Sequence, residues 1–119
     1  MKIVIKPWGE ERWLELNSNY CYKVISINAG SRTSYQYHER KTETICIISG
    51  DAEVWLENDD GFVEKSKMVE SDYFTVPPLR KHRVTAITDL VFHEVSTPEV
   101  EDVVRVEDDF NRDAEGPVA

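Results

Sequence analysis

Apolar and polar positions alternate along this chain in short runs, with little sign of a 3.6-residue period. Runs at 12–16, 20–28, 33–37, 43–48, 52–57, 62–67, 73–76, 82–86, 90–95 and 103–106 predict ten short strands. Turn chemistry separates them: Asn17-Ser18-Asn19, Ala29-Gly30-Ser31, Ser49-Gly50-Asp51, Asn58-Asp59-Asp60-Gly61 and Pro77-Pro78. Residues 58–61 predict a tight hairpin loop. A short helix is expected after Pro98, and a frayed polar tail over 113–119. So many short strands in so small a chain predict an all-β, double-sheet jelly roll.

Length and composition narrow the class. The chain of 119 residues is the size of one domain. It is 40% hydrophobic and 31% charged, which excludes a disordered class. No apolar run is long enough to span a membrane. The opening Met1-Lys2-Ile3-Val4-Ile5-Lys6 lacks the apolar region of a signal peptide, so a cytoplasmic location is expected. The net charge of −9 is concentrated at the end: residues 99–119 hold eight acidic and two basic groups. Such a chain is repelled by nucleic acid and anionic membrane, and neither is expected as a partner. Cys21 and Cys46 lie in strand-like runs and read as buried thiols, not a disulfide framework.

Three segments carry candidate chemistry. In Arg32-Thr33-Ser34-Tyr35-Gln36-Tyr37-His38, alternation puts Arg32, Ser34, Gln36 and His38 on one wholly polar face. That face is either a solvated exterior or the lining of a pocket. Glu43 then leads the hydrophobic run Thr44-Ile45-Cys46-Ile47-Ile48, expected to pair with the strand bearing Gln36 and His38. A carboxylate there is costly unless paired or metal-bound. In Pro77-Pro78-Leu79-Arg80-Lys81-His82-Arg83, two prolines lead rigidly into His82. Gln36, His38, Glu43 and His82 would offer a divalent ion two imidazoles, an amide oxygen and a carboxylate. With one anionic ligand, the ion would keep the positive charge that Lewis-acid chemistry needs.

Other residues are more ambiguous. His93 shares its face with Val91 and Val95 and reads as a packed or half-exposed histidine. Arg32 is either a fork for a phosphate or carboxylate or an ordinary surface arginine. Arg83 belongs to a basic cluster around His82, but alternation puts it on the opposite face, where it is either an anion ligand or solvated. Lys23 shares a face with Cys21, Ile25 and Ile27, so it either enters a pocket or snorkels outward. Trp8, Trp13 and Trp55 read as packing residues.

The spacing Gly30-(five)-Gln36-x-His38-(four)-Glu43-(six)-Gly50 resembles the first cupin motif, with Gln for its first His, and Pro77-(four)-His82 resembles the second. The Gln-x-His variant is similar to the cupin domain of type II phosphomannose isomerases, found fused to sugar-1-phosphate guanylyltransferases. Lys6-Pro7-Trp8-Gly9 resembles that family's opening, and residues 101–108, Glu-Asp-Val-Val-Arg-Val-Glu-Asp, resemble its close. The resemblance covers about residues 5–112. Departures are Leu79 in place of a motif glycine and Ser71-Asp72 where the second motif opens with glycine; these 119 residues are expected to hold the cupin domain without a nucleotidyltransferase domain among them.

The resemblance implies a single cupin-type double-stranded β-helix over residues 1–112, with its acidic closing segment. It implies one divalent metal ion on Gln36, His38, Glu43 and His82, zinc first, with manganese, nickel, cobalt and iron as alternatives. It promotes Arg105 to a catalytic candidate; beside it, the residue patterns above make Lys23 a second catalytic candidate and Arg32 and Arg83 substrate-binding candidates. The implied activity is metal-dependent aldose–ketose isomerisation of a phosphorylated sugar through an enediolate, mannose 6-phosphate and fructose 6-phosphate by analogy; a sugar nucleotide is the other ligand class. The alternative is a non-catalytic cupin that binds metal and carbohydrate. A cupin oxygenase is a third reading, disfavoured by Gln36. A homodimer formed through sheet edges is expected by the same analogy.

Overall fold

The computed structural model describes residues 1–112; the tail expected over 113–119 lies outside the described residues. Among them are eleven strands: β1 (Lys2–Lys6), β2 (Gly9–Leu16), β3 (Cys21–Ile27), β4 (Tyr35–Tyr37), β5 (Glu43–Ser49), β6 (Ala52–Glu57), β7 (Val63–Met68), β8 (Tyr73–Val76), β9 (His82–Ala86), β10 (Leu90–Ser96) and β11 (Val104–Glu107). They form two antiparallel sheets, ordered β1-β2-β3-β10-β5-β8 and β11-β4-β9-β6-β7. The two sheets make a double-sheet jelly roll.

The turn residues act as their chemistry requires. Asn58 Oδ1 accepts the backbone N–H groups of Asp60 and Phe62, closing the hairpin between β6 and β7. Gly50, between β5 and β6, has φ +90°, and a Cβ there would stand 2.2 Å from the Asp89 carbonyl oxygen. Backbone conformation and space both demand glycine.

Two expectations need correction. No helix follows Pro98. Within the segment the backbone makes short turn bonds, Val100 N–H to the Pro98 carbonyl and Asp102 N–H to the Glu99 carbonyl. Val100 and Val103 line the interior cavity, and that packing decides the conformation. Nor does the strand led by Glu43 pair with the strand bearing Gln36. β5 pairs with β10 and β8, while β4 pairs with β9 and β11 in the other sheet. The turn at 38–42 carries the chain from one sheet to the other, so Glu43 faces Gln36 and His38 across the barrel.

Register sorts the interior into rows. Ile27 and Leu90 are opposite each other, and Ile25, Phe92 and Ile47 form the next row. One step further along the strands come Lys23, Glu94 and Ile45, then Cys21, Ser96 and Glu43. On the facing sheet, β9 runs inward from Ala86 and Val84 to His82. The apolar end holds most of the core, with Trp8 and Val54, while Val76 lies opposite Glu43 at the other end. The other end holds buried charge. Burying some ten aliphatic and aromatic side chains at about 1.5–3 kcal/mol each gives the barrel the stability to carry those charges.

Candidate metal centre and its cavity

His38, Glu43 and His82 are all at most 3% exposed, and one donor atom from each lies within 4.8 Å of the others. His38 follows β4, Glu43 opens β5 and His82 opens β9. Glu43 Oε1 stands 2.9 Å from His38 Nε2 and 3.0 Å from His82 Nε2. The other ring nitrogens face main-chain carbonyls: His38 Nδ1–H donates to Asp102, and His82 Nδ1–H donates to Arg80 at 3.0 Å. Carbonyls only accept, so Nδ1 carries a proton in both rings and Nε2 faces the carboxylate, either as an N–H donor to it or as a lone pair. Three electron-rich atoms therefore converge in a buried space, an arrangement that requires either protons on both rings or one cation among them. The donor set fits a divalent metal ion, and the carbonyl partners are the outer contacts that orient metal-ligating histidines.

Glu43 is suited to anionic ligation. Burial works against its charge, but Lys41 and the hydrogen bonds of His38 and His82 hold its carboxyl well below the ordinary range. Gln36, the fourth expected ligand, lines the same cavity and is opposite His82 in register, while its Oε1 accepts from Ser34 Oγ at 2.6 Å.

The surrounding cavity is heavily charged. Lys6, Lys23, Lys41, Arg105 and Arg112 line it, together with Glu11, Glu43 and Glu94. Lys23, 2% exposed, lies 3.4 Å from Glu11 Oε1 and has its ammonium 4.2 Å from the Trp13 ring centroid. Lys41 donates to Glu94 Oε2 at 3.4 Å. Burial disfavours the Lys41 charge, yet attraction from Glu94 and Glu43 raises its pKa overall. Two carboxyls share this one ammonium. Glu43 keeps its charge, and burial with repulsion from Glu43 pushes Glu94 up to about 8. Burial also lowers the Lys6 pKa; Glu11 opposes this, and the neighbouring cations Arg105, Arg112 and Lys23 add to it. Cations crowded closely enough to lower the Lys6 pKa make an anion-binding environment.

Of the residues singled out from sequence, Gln36, His38, Glu43, His82, Lys23 and Arg105 come together at this cavity, with Arg105 opposite Gln36 in register. Arg32 and Arg83, expected to bind substrate, do not line it. Arg32 forks onto Asp109 at 2.7 and 2.9 Å. Arg83 alternates to the outward face of β9, donates to the carbonyls of Thr33 and Glu107, and is covered there. His93 also points out of the barrel, with Nδ1 3.1 Å from the Tyr22 hydroxyl.

Lys6, Glu11, Lys41, Glu94, Asp102 and Arg112 were not anticipated. Glu94 had a signal, because it alternates with Leu90 and Phe92 on an inward face, the pattern that marked Lys23. Lys41 sits in a turn and had none. Asp102 is the clasp of the site. Its carboxylate accepts the N–H groups of Glu39, Arg40 and Lys41 at 3.0, 2.6 and 3.0 Å, while its carbonyl holds His38.

The model of the family Mannose-6-phosphate isomerase C-terminal matches residues 1–108. The alginate biosynthesis protein AlgA of Pseudomonas aeruginosa is 24% identical over 115 residues, covering 94% of this chain and 23% of that protein. AlgA of Pseudomonas fluorescens is 25% identical over 112 residues, covering 92% and 23%. The chain thus spans under a quarter of the length of these relatives. Among solved structures, KdgF from Halomonas sp. aligns with TM-score 0.73 at 19% identity, covering 83% of this chain and 87% of that one. Oxalate decarboxylase from Bacillus subtilis aligns with TM-score 0.79 at 16% identity, covering 88% and 30%. At these identities the structural likeness establishes the cupin fold.

Proposed function

Because the chain belongs to the mannose-6-phosphate isomerase C-terminal family, we propose that it is a metal-dependent isomerase of phosphorylated aldoses and ketoses, with mannose 6-phosphate and fructose 6-phosphate as the first pair to test. The observation that carries this reading is one cavity in which His38, Glu43 and His82 converge beside the cations Lys6, Lys23, Lys41, Arg105 and Arg112. A phosphorylated sugar needs both: hard or borderline donors for an ion at its oxygens, and fixed positive charge for its phosphate.

Zinc, our first choice on this nitrogen–oxygen donor set, would be held by His38, Glu43 and His82, with Gln36 adjacent, and supplies Lewis-acid polarisation of a carbonyl oxygen when bound. The protein residues have separate tasks. The Asp102 and Arg80 carbonyls fix both imidazoles with Nε2 inward. Lys41 keeps Glu43 ionised. Arg105 extends a fixed cation over the row it shares with Gln36 and His82, where it stabilises negative charge developing on substrate oxygen. Lys23, beside Glu11, contributes to the positive field of the cavity. Val100 and Val103 exclude water on the remaining side. A cytoplasmic site of action fits a sugar-phosphate substrate.

A second reading has its own support. The cavity measures about 60 Å³, room for a few waters and not for a hexose phosphate. A non-catalytic module that binds metal and the edge of a carbohydrate needs no more; an isomerase needs segment 98–103 to move aside. The two separate by experiment. Zinc-loaded protein is incubated in deuterated water with mannose 6-phosphate or fructose 6-phosphate, and the C1 and C2 protons are followed by NMR. Isomerisation or proton exchange, abolished in His82→Ala, is the expected result. No exchange at full metal occupancy would leave the binding module.

A further inference from the structure

We propose that Glu11 is the base that carries the substrate proton between C1 and C2, a role that rests on the isomerase reading above. Interconverting an aldose and a ketose moves one hydrogen between these carbons, and the reaction needs a proton acceptor that reaches both. The cavity lining offers few. His38, Glu43 and His82 are committed to the ion. Glu94 stands with Glu43 around the shared ammonium of Lys41. Arg105 and Arg112 only donate. Glu11 is the remaining carboxylate of the lining and is 6% exposed.

Its setting is that of an aimed group. Glu11 is on β2, opposite Ile25 of β3 in register. Trp13, two residues further along, donates its indole Nε1–H to Glu11 Oε1 at 2.9 Å, and Lys23 Nζ approaches the same oxygen to 3.4 Å. Lys23 in turn lies over the Trp13 ring, so the three side chains close a triangle. Two donors fix Oε1, which leaves Oε2 for the cavity and sets its direction. The charge of Glu11 is felt by Lys6 on β1 and by Lys41, the ammonium between Glu43 and Glu94. Glu11 therefore lies between the far cations and the metal end. A sugar with its oxygens at the metal end and its phosphate at the far cations would present its reacting carbons there.

The step balances within the substrate and this one side chain. Glu11 Oε2 takes the proton from C2 of the open-chain aldose. The C2–H electron pair becomes the C1=C2 double bond, and the carbonyl pair moves onto O1. The O2 proton passes to O1. The O2 lone pair then forms the carbonyl at C2, the double-bond pair takes the proton from Glu11 at C1, and the carboxylate is restored.

The test uses the zinc-loaded full chain with mannose 6-phosphate in deuterated water, following exchange at C1 and C2, KM, and the rise in melting temperature that zinc gives. Glu11→Gln keeps the shape of the side chain but accepts no proton. We expect its kcat to fall about a hundredfold or more with KM within about threefold, and the zinc-dependent melting shift to be retained. In Glu11→Ala, added formate should restore part of the lost rate, which a merely structural loss would not allow. A Glu11→Gln variant as active as the unaltered chain would overturn the assignment, as would a loss confined to KM or a folded Glu11→Ala that formate leaves inactive. An unaltered chain that exchanges nothing at full zinc occupancy would instead remove the isomerase reading, and the role of Glu11 with it.

Discussion

Asp102 shows how one side chain can govern a site it does not enter. Its carboxylate gathers three consecutive amides of the turn between the ligands His38 and Glu43, and its carbonyl sets the His38 tautomer. Asp102→Asn leaves the carbonyl in place but weakens the acceptor. We expect faster amide exchange at residues 39–41 and metal affinity reduced about tenfold, the lower end of what outer contacts to a ligating histidine contribute. Isothermal titration with zinc and hydrogen-exchange mass spectrometry check both. Unchanged exchange and affinity would remove Asp102 from its positioning role. Leu79 poses the converse case. It stands at φ +69°, is 63% exposed, and donates its N–H to the His38 carbonyl at 2.6 Å. The left-handed conformation costs a non-glycine residue about 1–2 kcal/mol, and glycine loses about 0.5–1 kcal/mol in chain entropy. Leu79→Gly should therefore raise stability by up to about 1 kcal/mol in urea denaturation; a loss would show that the leucine side chain packs usefully despite its exposure.

At the scale of elements, alternation was a good guide wherever one face is buried and the other is not. The nine predicted strands from 20–28 onwards fall on β3 to β11, the tight loop at 58–61 is present, and the polar face of Gln36 and His38 does line an interior. Failures have physical causes. β1 has only its Lys6 end buried, so its pattern carried no burial signal. The segment after Pro98 has helical spacing of apolar residues, but Val100 and Val103 serve a cavity instead of a helix face. Arg32 and Arg83 had the right chemistry, but single-strand reasoning could not show that the closing segment would supply Asp109 and Glu107 to bind them. That segment is itself stapled by Asp108, which accepts from the Arg112 side chain at 2.9 and 3.1 Å and from the N–H groups of Arg112 and Phe110. Burial opposes its charge, yet those bonds hold Asp108 down at about 2. A carboxyl depressed on folding stabilises above its unfolded pKa of about 3.9, and that stabilisation is lost as pH falls through the folded value. Asp108→Asn should thus lower stability at pH 5–7 by about 1 kcal/mol and flatten the decline between about pH 4 and 2. Urea denaturation across that range would reveal an identical acid limb in both proteins if the staple contributes nothing.

For the whole molecule, the central fact is that the barrel encloses more charge than a barrel of this size needs. Buried pairs such as Lys23–Glu11 and Lys41–Glu94 cost desolvation that their attraction only partly repays, so they do not explain the fold's stability. The costliest arrangement is the lone-pair cluster of His38, Glu43 and His82, and a divalent ion would convert it from a liability into a cross-link between β4, β5 and β9. Binding to the folded chain alone stabilises by RT ln(1 + [L]/Kd), about 2.7 kcal/mol at a hundredfold excess over Kd. For a domain of this size that is a rise in Tm on the order of 10 °C. Chelator-treated protein should therefore melt about that much lower than zinc-saturated protein at pH 7. In His82→Ala or Glu43→Gln the difference should shrink to near zero while the core remains folded. Lys67→Glu, on the far face of the other sheet, should keep the full shift. Scanning calorimetry with and without zinc decides it, independently of turnover: equal melting temperatures in metal and chelator would mean that the three donors are a buried hydrogen-bond cluster and not a metal centre.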